Sequence, residues 1–144
     1  MRPGVEEILA ERRIAVVGVS RGKGFGNLAL ETLRERGWEA VPVNARADVV
    51  EGEKCFHGLS EIPGRPGAVL AVVPPAETEK VVDECLRLGV RKIWMQQGAE
   101  SEAAIARAEK GGMTVVHHAC VLMYAQPRGF HRFHGWVTKL MGKH

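Results

Sequence analysis

Apolar residues cluster in four short runs: Ile14-Ala15-Val16-Val17, Ala68-Val69-Leu70-Ala71-Val72-Val73, Lys92-Ile93-Trp94-Met95 and Met113-Thr114-Val115-Val116. None alternates with polar residues, which is the pattern of strands buried on both faces of a parallel sheet. A fifth run, Ala40-Val41-Pro42-Val43, is weaker, because proline suits a strand end better than its middle.

Helical spacing fills the gaps. Leu28 to Arg36 closes on Gly37, and Val81, Val82, Cys85, Leu86 and Leu88 precede Gly89. Ser101 can cap a helix carrying Ala104, Ile105 and Ala108 that stops at Gly111. Val5, Ile8 and Leu9 share one face of a short opening helix that packs beside the sheet. Strands alternating with helices predict a single α/β domain: a Rossmann-type, doubly wound, five-stranded parallel sheet. The expected strand order is 3-2-1-4-5. The long connection from Asp48 to Gly67, rich in glycine, reads as a covering loop.

Composition narrows the class. The 144 residues are 45% hydrophobic and 26% charged, which excludes disordered, collagen-like and disulfide-scaffold chains. No apolar run approaches the roughly 18 residues of a membrane helix. The first residues carry Glu6 and Glu7 and no apolar core, so they do not read as an export signal. Cys55, Cys85 and Cys120 then read as reduced thiols of a cytoplasmic protein. The net charge of +3 is unevenly spread. Lys110, Arg128, Arg132, Lys139 and Lys143 lie in a C-terminal stretch without any acid, so the rest of the chain is slightly acidic.

Candidate chemistry begins where the first run ends, at Val17-Gly18-Val19-Ser20-Arg21-Gly22-Lys23-Gly24-Phe25-Gly26-Asn27. A glycine-rich turn from strand into helix lets the backbone approach an anion, and the helix N-terminus offers free N–H groups. Arg21 and Lys23 add charge, and Asn27 can cap the helix. The spacing is not G-x-G-x-x-G, and a merely flexible loop is the plainer alternative. After the second strand, Val43-Asn44-Ala45-Arg46 lacks the acid that holds the ribose of NAD. Arg46 suits a ribose phosphate, the 2′-phosphate of NADP or the 3′-phosphate of CoA, or is an ordinary solvated charge. Val73-Pro74-Pro75 forms either a rigid ligand-binding rim or a simple turn, and Gln96-Gln97-Gly98 either lines the same rim or caps a helix.

In order and spacing these pieces resemble a family: the stand-alone CoA-binding proteins related to the nucleotide-binding domain of the succinyl-CoA synthetase alpha subunit. The resemblance runs from about Ile14 to Cys120. It rests on Val17-Gly18-Val19-Ser20 with Phe25-Gly26-Asn27, Val41-Pro42-Val43-Asn44, Gly52-Glu53-Lys54-Cys55-Phe56 with Leu59 and Ile62-Pro63, Val73-Pro74-Pro75, Trp94-Met95-Gln96-Gln97-Gly98 and Cys120. It implies that Gly18, Ser20, Arg21 and Lys23 meet the CoA diphosphate and that Asn44 and Arg46 meet the adenosine end. It implies further that Val73, Pro74 and Pro75 flank adenine and pantetheine, with Gln97 and Gly98 nearby. Many members carry Arg-Pro in the first turn and Asp-Arg before the cysteine. This chain has neither, reading His118-Ala119-Cys120 at the second place.

No H-E-x-x-H motif is present. A nucleophilic Cys120 served by His117 or His118 is disfavoured, because adjacent residues of a strand point to opposite faces. His131 and His134 could share a metal with Cys120, but a solvated pair is the simpler reading. Phe130, Phe133, Val137, Leu140 and Met141 form one apolar stripe on a basic helix over about 128–142. That stripe reads first as packing on the chain's own domain or on a homodimer or other protein partner. Membrane-surface and RNA contacts are weaker options, and the low overall charge argues against nucleic acid. The expected function is binding of coenzyme A or an acyl-CoA as a carrier, sensor or accessory protein without catalysis. The alternative is an NADP(H)-binding oxidoreductase or redox sensor.

Overall fold

A computed structural model describes residues 4–127. The expected tail helix over about 128–142, with His131 and His134, lies outside the described residues. The elements are α1 (Val5–Leu9), β1 (Arg13–Val17), α2 (Phe25–Glu35), β2 (Glu39–Val43), β3 (Val49–Val50), β4 (Glu53–Lys54), β5 (Ala68–Ala71), α3 (Pro75–Leu88), β6 (Lys92–Gln96), α4 (Glu102–Lys110) and β7 (Thr114–Ala119). Five strands pair in parallel in the order β2-β1-β5-β6-β7.

The five-stranded parallel sheet matches expectation, but the order does not. The third strand of the sheet, β5, lies beside β1 rather than outside β2. Pro42 is the physical reason. Within β2, Glu39 N–H donates to Arg12 O and Val43 O accepts from Gly18 N–H, so Ala40 and Pro42 are the residues facing outward. Pro42 has no N–H to offer a further strand, which marks β2 as an edge. The outward carbonyls are already engaged. The Arg34 guanidinium donates to Ala40 O at 2.8 and 3.0 Å, and Phe56 N–H donates to Pro42 O at 3.1 Å.

Two cores sandwich the sheet. Alternate strand residues such as Val16, Leu70, Trp94 and Val116 pack under α1 and α2. Ala15, Val69 and Ile93 pack under α3 and α4 on the other face. Helix signals behave as read: Gly89 closes α3 at φ +83, and Ser101 Oγ accepts from Ala104 N–H at 3.0 Å. The segment after β2 is not a free cover over the rim. It forms the β3–β4 hairpin, pairs Phe56 beside Val43, and buries Val50, Cys55, Leu59 and Ile62 around the β2 edge.

Because β2 lies on one side of β1 and β5 on the other, the connections leaving β1 and β5 part to opposite faces of the sheet. That divergence opens a crevice at their carboxyl ends, the place where open α/β sheets bind ligands.

Candidate functional site

Two glycines set the shape of this crevice. Gly18 sits at φ +123, and a Cβ there would lie 2.0 Å from the carbonyl oxygen of Val72. A Cβ on Gly26 would lie 2.4 Å from Gly18 O. The first glycine lets the turns after β1 and β5 touch, and the second lets α2 start against the turn. The helix begins after Gly24 with no side-chain cap and no acid in its first turn. Its first N–H groups have no intrahelical partner, and the helix supplies no acid of its own to the positive end of its dipole.

Asn27 does not cap α2, contrary to expectation. It is the third helical residue, 3% exposed, and its amide reaches back into the turn. Asn27 Oδ1 accepts from Ser20 N–H at 2.7 Å, while Nδ2 donates to Ser20 O and Gly22 O, each at 2.9 Å. The same nitrogen lies 2.8 Å from Glu51 Oε2, so its two hydrogens are shared among three acceptors. Glu51 comes from the β3–β4 hairpin, and sequence reasoning missed it. The neighbouring Glu31 carboxyl is pushed above its ordinary range by a hydrogen bond to Glu51 and by that residue's charge.

Asn44 ties the second loop to the first. Its Nδ2 donates to Val19 O at 2.6 Å, and its Oδ1 accepts from the N–H groups of Arg46 and Ala47 at 2.7 and 2.9 Å. Arg21 then donates to Arg46 O at 3.3 Å. Arg21, Lys23 and Arg46 are exposed and have no acidic partner among the described residues. Arg13, Arg34, Lys92 and Arg107, by contrast, pair with Glu39, Glu53, Glu11 and Asp83. The rim thus gathers three uncompensated cations beside an open helix N-terminus, an arrangement suited to phosphates.

Pro74 and Pro75 are both rim and helix start. Pro75 is the first residue of α3, where a missing N–H costs nothing, and Val73 is half-buried beneath. Gln97 and Gly98 stand exposed one strand further along, and no hydrogen bond links them to the glycine turn among the described residues. Gln96, not Gln97, is the structural glutamine: it is 5% exposed and its Oε1 accepts from Val121 N–H at 3.0 Å.

The His117 and His118 rings do not point to opposite faces as a regular strand would place them. His118 adopts φ +57 where the β6–β7 register shifts, and this bulge swings its ring toward His117 instead of away. The two Nδ1 atoms lie 2.6 Å apart. Glu100 accepts from the N–H groups of His118 and Gly98 at 2.8 and 2.7 Å. Burial pushes Glu100 up, but these donors outweigh burial and hold it below its usual range. No group of three metal-ligating side chains forms among the described residues. A separate groove of about 490 Å³ runs along the outer edge of β2. Its walls include the ion-paired Arg13, Glu39, Arg34 and Glu53, together with Lys54 over the Phe56 ring, so most of its charges are already matched.

The profile of the CoA binding domain family matches residues 12–126, a span that includes every element from β1 to β7. The chain belongs to this CoA-binding domain family. It is 31% identical over 119 residues to the uncharacterized protein YneT of Bacillus subtilis, covering 81% of this chain and 88% of that one. It is 30% identical over 122 residues to the alpha subunit of the ADP-forming acetate–CoA ligase II of Pyrococcus furiosus, covering 76% of this chain but only 27% of the ligase subunit. Among solved structures, a conserved hypothetical protein from Pyrococcus furiosus superposes with a TM-score of 0.73 at 36% identity, covering 78% of this chain and 97% of that one. No helix among the described residues is long and apolar enough to cross a membrane.

Proposed function

We propose that this chain binds coenzyme A or an acyl-CoA across the carboxyl ends of β1, β2 and β5, with the diphosphate on the turn from Gly18 to Asn27. The observation that carries this reading is the set of unpaired cations, Arg21, Lys23 and Arg46, gathered beside the uncapped start of α2 in a CoA-binding-domain chain. Free N–H groups of the first α2 turn and the Lys23 ammonium meet the diphosphate. Arg21, expected on the diphosphate, reaches across to Arg46 O and with Arg46 meets the 3′-phosphate instead, and Asn44 holds their loops in register. Val73, Pro74 and Pro75 form the apolar wall for adenine and pantetheine, with Gln97 and Gly98 beyond it.

The role is binding rather than group transfer, as a carrier, a sensor or the CoA-holding part of a larger assembly. The ligase relative favours the last of these, since this chain aligns with 27% of its alpha subunit. Calorimetric titration with CoA, acetyl-CoA, dephospho-CoA and NADP tests the reading. CoA and acetyl-CoA bind, dephospho-CoA binds more weakly, and NADP does not compete. Tight NADP binding without CoA binding would move the protein to the dinucleotide class.

A further inference from the structure

Glu51 is the wrong residue for its place in the backbone. With Gly52 it forms the two-residue turn of the β3–β4 hairpin, and both sit at positive φ, +50 and +79. Turns of this kind favour Asn, Asp or Gly at the first central position, because a longer side chain gains nothing there. Glutamate is held in a sparsely populated conformation, and such outliers gather where a side chain has a task. It is also an acid beside a turn otherwise lined by cations, which works against an anion unless the carboxylate does something else.

Its contact shows what that is. A carboxyl oxygen that bears no proton can only accept hydrogen bonds. Glu51 Oε2 therefore holds the Asn27 amide with its NH₂ on the hairpin side and its Oδ1 on the Ser20 N–H. That orientation also places Nδ2 on Ser20 O and Gly22 O. The backbone between Ser20 and Gly22 is then drawn onto the first turn of α2.

We propose that Glu51 is a positioning residue of the phosphate turn, orienting the Asn27 amide that shapes the Ser20–Gly22 backbone for an anionic ligand. This rests on the CoA reading for the identity of that ligand, but not for the hydrogen bond itself. Ordering the turn before binding removes part of the entropy cost of ordering it afterwards.

Two substitutions separate positioning from hairpin stability. Glu51→Asn suits the turn better but is one methylene shorter, so it leaves Asn27. Glu51→Gln keeps a side-chain carbonyl that can accept from Asn27. The expected result for Glu51→Asn is an unchanged or higher melting temperature. Hydrogen exchange at the Ser20 amide of the ligand-free protein becomes faster, and CoA affinity falls, each by about three- to tenfold, the scale of one lost hydrogen bond. Glu51→Gln restores both. Unchanged Ser20 exchange in Glu51→Asn, or CoA affinity that stays or improves, overturns the proposal. If Ser20 exchange responds as expected while the unsubstituted protein ignores CoA, the positioning role stands and the CoA reading falls.

Discussion

The side-chain amide of Asn44 donates to the carbonyl oxygen of Val19 at 2.6 Å, joining the loop after β2 to the loop after β1. The other end of the same amide accepts from Arg46 and Ala47 N–H. One residue thus sets the spacing between Arg46 and the glycine turn. Asn44→Ala removes three hydrogen bonds, two of them half-buried, and should cost about 2 kcal/mol. For a chain of this size that lowers Tm by about 4–10 °C in a thermal melt. CoA affinity should fall with it, since Arg46 loses its anchor.

Gly18 and Gly22 make an opposite pair. A Cβ at Gly18 meets Val72 O at 2.0 Å, whereas one at Gly22 meets nothing within 4 Å. Gly18→Ala should lose about 3 kcal/mol or more in urea unfolding, because the contact is with main chain that cannot rotate away. Gly22→Ala should stay within about 0.5 kcal/mol. The same contact makes Gly18→Val a poor probe of ligand binding, although the glycine pattern invites it: the fold itself is perturbed.

Arg21 and Arg46 should read the 3′-phosphate. Arg46→Ala is expected to weaken CoA about tenfold, the scale of one charge-assisted hydrogen bond, while leaving dephospho-CoA nearly unchanged. The preference of the unsubstituted protein for CoA over dephospho-CoA should shrink as salt rises, since both cations are exposed. Equal losses for both ligands would place the 3′-phosphate elsewhere.

The three cysteines should separate by reactivity. Burial, helped by the charge of Glu84, pushes the Cys85 thiol up to about 12, and burial also raises Cys55. Cys120 is half-buried and should take up a thiol reagent first at pH 8, with Cys85 modified only on unfolding. A raised folded pKa means that stability is full below the unfolded value and is lost as pH rises. The Cys85 contribution should therefore decline between about pH 9 and 12. Urea midpoints of Cys85→Ala and the unsubstituted protein should differ less in their pH dependence below pH 9 than above it.

Much of the fold was legible because buried parallel strands announce themselves as uninterrupted apolar runs, as at Ala68–Ala71 and Ile93–Met95. The strand order was harder, since every strand of the five-stranded sheet carries an apolar run and only Pro42 distinguishes the edge. Taken as an outward-facing residue of a complete strand, it would have placed β5 beside β1. Asn27 was misread because the uncapped Gly24 start moves it inside α2, a shift of three residues that no local rule resolves. His117 and His118 were misjudged because a strand bulge breaks the period of two. Glu51 went unnoticed because the β3–β4 strands are two residues each, although Glu51-Gly52 between Val49-Val50 and Glu53-Lys54 is a two-residue turn with glycine at its second place.

The decisive measurement for a CoA site on the glycine turn is calorimetric titration of CoA into the unsubstituted protein and into Arg21→Ala/Arg46→Ala, with melting temperatures recorded for both. A site on the glycine turn requires one CoA per chain, an affinity at least about tenfold weaker in the double variant, and equal melting temperatures without ligand. CoA bound equally well by both proteins, or by neither, would contradict it.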